Sequence, residues 1–151
     1  MRKKILSIGS LFLALLCLGA VAAAGCGSSG SNTSLTMKEF ENRAEAICNR
    51  AESEQLKRAV AYTKSHPNAE DKDLVEPVGL PPIEKEIEQL AALGMLEGKG
   101  ATDAAELVDE LEAGLEEAQK NPQSLLGSET PFDRSNELAR KLGLNVCGAL
   151  P

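Results

Sequence analysis

The chain has 151 residues, about one domain's worth, of which 42% are hydrophobic and 26% charged, a composition that argues against wholesale disorder and supplies a core. Aromatic residues make up only 3%, with no Trp, which leaves base-stacking platforms and aromatic-lined sugar clefts poorly supplied. A formal charge of −7 makes nucleic acid a poor partner.

Residues 1–25 read as a signal peptide. Arg2-Lys3-Lys4 precede an apolar run from Ile5 to Ala24, broken only by Ser7, Gly9, Ser10 and Gly19, and followed by Gly25-Cys26. Lys and Arg resist translocation, so the chain beyond the apolar run is expected outside. The residues Ala23-Ala24-Gly25-Cys26 resemble the lipobox of bacterial lipoproteins, whose cysteine is diacylated on sulfur and becomes the new N-terminus. That resemblance implies lipidation at Cys26; Ala23 departs from it, since Leu or Val is commoner there. Cleavage at a small-residue site without lipid, or an uncleaved anchor, are the alternatives, and all three export the rest of the chain. Removal of the leader takes the charge to −10, because it carries Arg2, Lys3 and Lys4 and no acid. Each buried methylene of an acyl chain contributes about 0.8 kcal/mol, so two chains would hold the protein on a membrane where its charge would not. Residues 26–34 then form an acylated cysteine and a Gly/Ser tether, spanning about 16 Å as a flexible coil.

Residues 35–151 read as one helical domain. Thr36 and Glu39 predict a capping box with Leu35 stapled onto Phe40. Phe40, Ala44, Ile47, Cys48 and Ala51, then Leu56, Ala59, Val60 and Thr63, give a helical stripe expected to face a core as far as His66-Pro67. Residues 67–82, rich in Pro, Asp and Gly, read as a crossing loop. Ile83, Ile87, Leu90, Leu93 and Gly94 mark a second helix, with Glu84, Glu86 and Glu88 expected outside. After Gly98-Lys99-Gly100, Asp103 and Glu106 resemble a capping box, and Ala104, Leu107, Val108, Leu111, Leu115 and Ala118 trace a third helix. Asp133 is expected to cap a short fourth, stopped by Gly143. No strand pattern appears, so the expected fold is all-α, an antiparallel bundle of about four helices.

Four cysteines remain to be placed. Cys17 lies in the leader and Cys26 is assigned to lipid, leaving Cys48 and Cys147 with only each other, which in an exported chain reads as a disulfide. Closing a loop on the order of 100 residues is worth about 4–5 kcal/mol in the chain-entropy model, before any strain. The up-down-up-down order brings the last helix back toward the start of the first, which makes the pairing feasible. A redox or metal role is the alternative, without CxxC spacing or nearby His to recommend it.

The remaining chemistry is thin. His66 reads as a helix cap; for catalysis it would need a positioned nucleophile such as Ser65 or Ser53, and sequence neighbours make no triad. Asp109-Glu110 and Glu116-Glu117 read as solvated helix faces, Glu70-Asp71-Lys72-Asp73 as a bend, and Gly98-Lys99-Gly100 as a turn rather than a phosphate loop. No catalytic residue, cofactor or metal site is expected. Ile47-Cys48, Pro82-Ile83, Asn121-Pro122 and Gly143-Leu144-Asn145-Val146-Cys147 resemble small actinobacterial lipoproteins and secreted helical proteins of unknown function. The resemblance implies a helical fold and a Cys48–Cys147 link, and supplies no binding residues. The expected role is a non-enzymatic interaction module of the cell envelope, anchored to the extracytoplasmic face of the cell membrane, with a protein partner and no nucleic acid. The alternative is a carrier of a small molecule or lipid in a cavity between helices, bordered by Ala91, Ala92, Gly94 and Gly114.

Overall fold

The computed structural model describes residues 34–151. The leader, Cys17, Cys26 and the tether as far as residue 33 lie outside the described residues.

Helix α1 (Met37–Ser65) starts at the predicted box: the Thr36 amide donates to Glu39 Oε2 at 3.0 Å and the Glu39 amide to Thr36 Oγ1 at 3.3 Å. Leu35 and Phe40 are both buried beside it, as a staple requires. The helix ends where His66 precedes Pro67.

The stretch expected as a loop is mostly helical. Helix α2 (Asp71–Leu74) runs through a π-helical turn (Val75–Gly79) into α3 (Leu80–Ala91). Pro77, Pro81 and Pro82 have no amide hydrogen to give, so the usual bonding four residues back fails there. The chain answers by widening, and the Leu80 amide reaches five residues back to Val75 O. Proline in a first turn is tolerated, which lets α3 continue with Pro82 packed inside.

Helix α4 (Ala101–Lys120) comes after a turn in which Gly98 and Gly100 take positive φ. The expected Asp103–Glu106 box is absent: Gly100 occupies the cap position and both acids reach across to α5 (Asp133–Lys141). Asp103 meets Lys141 at 2.7 Å and Glu106 meets Arg134 at 2.6 Å. Between the two helices lies a three-ten turn (Pro122–Leu126). Asp133 does not occupy the cap position either; from the first turn it accepts the Thr130 amide. Helix α5 ends in a Schellman motif, with Gly143 at φ 82°, its amide on Arg140 O and the Leu144 amide on Ala139 O.

The packing is the expected antiparallel bundle. Arg50 bonds Gln89 while Glu54 pairs with Lys85, so residue numbers rise along α1 as they fall along α3. Pairing of 103 with 141 and 106 with 134 shows the same for α4 and α5. A Cβ on Gly100, just before α4, would meet Met37, Leu96 and Leu142, so the start of α1 and the ends of α3 and α5 share that pole. A single backbone bridge there, Leu35 to Leu96, is the only extended pairing among the described residues.

The core holds Phe40, Ile83, Leu107, Leu111, Phe132 and Leu144. Cys48 and Cys147 are disulfide-bonded within it, with Cα atoms 5.2 Å apart and 99 residues between them in sequence. Cys147 opens a short three-ten helix (Cys147–Ala149) that returns over α1 and α5. Glu45 accepts the Val146 amide at 3.2 Å and the Asn145 amide as well. Asn136 holds Leu150 by two bonds, one in each direction, and Arg140 donates to Gly148 O at 2.6 Å. The segment is thereby clasped by three side chains besides the sulfur bridge.

Candidate functional site

Helix α1 has 29 residues against 12 in α3, so at about 1.5 Å per residue its second half outruns its neighbour. Phe40, Ala44, Ile47 and Cys48 are buried as expected, but the rest of the stripe is not. Leu56 is 66% and Val60 63% exposed, because no helix among the described residues covers that face of α1. Leu56 borders a groove of about 680 Å³.

The groove is walled by Leu56 and Ala59 of α1, by Leu74 and Val78 of the α2 and π-helical segment, and by Leu125 and Leu126 of the three-ten turn. Pro151, delivered by the clasped segment, closes one side. The π-helical turn matters here: Val75 and Val78, both buried, line the groove beside the half-buried Leu74. Glu52 and Asp71 are the ionisable residues in the lining, no Lys or Arg joins them, and neither acid is ion-paired among the described residues. The groove is thus apolar within and negative in its ionisable lining.

The groove is not where a cavity between helices was expected. Ala91, Ala92 and Gly94 are exposed. Gly114 is buried, but a Cβ on it would lie 2.7 Å from Pro131 O and 2.8 Å from Phe132 Cδ1, so this glycine serves close packing of α4 on the Phe132 turn. None of the four lines the groove.

His66 behaves as a cap. Its ring stacks on Tyr62 with centroids 4.2 Å apart, and Nδ1 lies 3.1 Å from both Tyr62 O and Ser65 Oγ. Ser65 Oγ is itself within bonding distance of Tyr62 O and Ala61 O, so its proton has two backbone acceptors besides the ring. Glu116 is held by Lys120, which keeps its carboxyl below the ordinary range, and Asp73 accepts the Glu70 amide.

One residue breaks the expected pattern. Glu86, expected outside, is buried on α3 with 5% of its surface exposed. Burial alone pushes its carboxyl up from 4.5 to about 7. A carboxyl oxygen and the sulfurs of Cys48 and Cys147 all lie within 4.8 Å of one another. The spacing contained the signal: Ile83, Glu86, Ile87 and Leu90 stand at i, i+3, i+4 and i+7, so the glutamate belongs to the apolar face.

No family model, curated protein or solved structure matches the chain. No helix among the described residues is long and apolar enough to cross a membrane.

Proposed function

We propose that the protein is an exported, lipid-anchored module of the cell envelope, held at the extracytoplasmic face of the membrane through Cys26, that binds and does not catalyse. Its affinity with small actinobacterial lipoproteins is part of the same proposal. The basic-apolar-small-Cys order of residues 2–26 supports the anchor. A closed Cys48–Cys147 bond fits an oxidising compartment.

The observation that carries the binding role is the apolar groove whose described lining holds two acids, unpaired among the described residues, and no base. An apolar floor beside carboxylates complements an amphipathic segment of a partner protein, its apolar side chains in the groove and Lys or Arg facing Glu52 and Asp71. The second reading, a carrier, draws on the groove's volume, which falls in the range of small-molecule sites.

Titration of the purified protein with a synthetic Leu/Lys amphipathic peptide separates the two. The expected result is saturable binding that weakens with salt, is lost in Leu56→Asp and Leu126→Asp, and is absent for a Leu/Glu peptide. Leu56 and Leu126 are exposed, so these changes should leave stability within about 0.5 kcal/mol. Binding of a fluorescent fatty acid at the groove, with none of the peptide, would transfer the site to the carrier reading.

A further inference from the structure

The clasp beside the groove holds an arrangement that a purely mechanical staple does not need. A carboxyl on the apolar face of α3 would be replaced to advantage by Leu or Met if only packing were at stake. Instead Glu86 abuts both sulfurs of the one cystine among the described residues. It lines a small niche between α1 and α3 and keeps 5% of its surface exposed; Arg50, Glu54 and Lys85 are the charged groups sharing that niche. Each is engaged elsewhere: Arg50 with Gln89, Glu54 with Lys85 and Arg58. On α5, Arg140 is bonded to Gly148 O and, on α1, Glu45 to the 145 and 146 amides.

We propose that Cys48, Cys147 and Glu86 form a thiol–disulfide exchange site for an external dithiol, in which Glu86 gives and takes the proton of the Cys48 thiol. The two sulfurs are not equivalent. Cys48 sits mid-helix in α1 and cannot turn outward without unwinding it, whereas Cys147 belongs to a short segment held by three side chains. The incoming thiolate therefore attacks Cys147 Sγ once that segment lifts. The S–S bond breaks, a mixed disulfide forms at Cys147, and Cys48 departs as a thiolate. Glu86, carrying its proton, protonates it and becomes a carboxylate. The second thiol of the reductant then displaces Cys147, whose thiolate takes a proton from solvent. The protein gains two electrons and two protons, the second of them replacing that lent by Glu86, and the dithiol becomes a cyclic or internal disulfide. In reverse, with a disulfide as oxidant, the Glu86 carboxylate removes the Cys48 proton. A carboxyl that burial has moved to about 7 is matched to a thiol at neutral pH, where an ordinary glutamate would already be ionised. The exchange acts on the protein's own cystine, and it stands or falls apart from the binding role proposed above.

The test is reduction of the folded full chain by dithiothreitol between pH 5.5 and 9, with alkylation and mass spectrometry counting thiols. Rates are divided by the concentration of dithiothreitol thiolate. The expected constant for the native protein drops about tenfold or more as pH rises through 7. Glu86→Gln, which neither ionises nor donates a carboxylic proton, is expected to show a pH-independent constant that lies below the native one at pH 6, and Glu86→Asp to restore a step. His66, the one histidine of the chain, is present in all three proteins and so cannot produce the difference. Identical profiles for the native and Gln proteins would overturn the proposal. So would a reduction rate that does not rise with dithiothreitol and equals the rate of global unfolding. If Glu86→Gln does not fold, the native protein decides the matter: a flat normalised constant overturns the assignment.

Discussion

Replacing Glu86 by Gln should stabilise the protein, and only above the pH at which the unfolded chain ionises. In the folded state burial holds this carboxyl at about 7, against 4.5 in the absence of burial. Below pH 4.5 both states keep the proton and Glu86 contributes no pH dependence. Between 4.5 and 7 the unfolded chain has released its proton and the folded one has not, so stability falls with rising pH by about 1.4 kcal/mol per unit. Above 7 both are ionised and the accumulated penalty, about 3 kcal/mol, stays constant. Gln has nearly the same shape and never charges, so the difference between the two proteins isolates Glu86 from carboxylates such as Glu39 and Glu54, whose depressed values act in the opposite direction. Urea unfolding with the disulfide intact at pH 4, 5.5, 7 and 8.5 measures it. The expected gap widens from its value at pH 4 by about 3 kcal/mol at pH 8.5, and thermal melts should separate correspondingly, on the order of 10 °C. Stability curves that run parallel across this range would show that the folded carboxyl titrates normally, and the burial argument would fail.

Cys26→Ala is expected to move the protein from the membrane fraction to the soluble one or to block its maturation; an unmodified mass at the N-terminal peptide of the native protein would refute the anchor. Cys147→Ser should cost up to about 4–5 kcal/mol, since a 99-residue loop is released in the unfolded chain, and should abolish the gel shift on reduction. Gly114→Ala should destabilise by about 1–3 kcal/mol through contact with Pro131 O and the Phe132 ring, measurable as a lowered urea midpoint.

How far the sequence carried the fold is clearest at the helix ends. Thr36-x-x-Glu39 and Gly143 act through local backbone bonds, and both stand where the spacing put them. The disulfide was legible for a different reason: two thiols were left after two had been assigned. What the sequence hid depends on tertiary company. Pro77, Pro81 and Pro82 read as loop because the wide turn that accommodates them is rescued by packing of Val75, Val78 and Ile83. Asp103 and Glu106 have capping spacing, yet find stronger partners in Lys141 and Arg134. Leu56 and Val60 share the period of Phe40 and Ile47, and no periodicity reveals that the neighbouring helix stops short of them. Glu86 was the avoidable miss, because its register on α3 was already that of a core residue.

The shared pole of the bundle has a consequence for reach. The described chain begins at the pole where Leu35 bridges Leu96, and the groove is built on the stretch of α1 around Leu56, about 30 Å further along at helical rise. A molecule seated in the groove would therefore leave that pole free, and the Leu35–Leu96 bridge could stay closed while the groove is occupied.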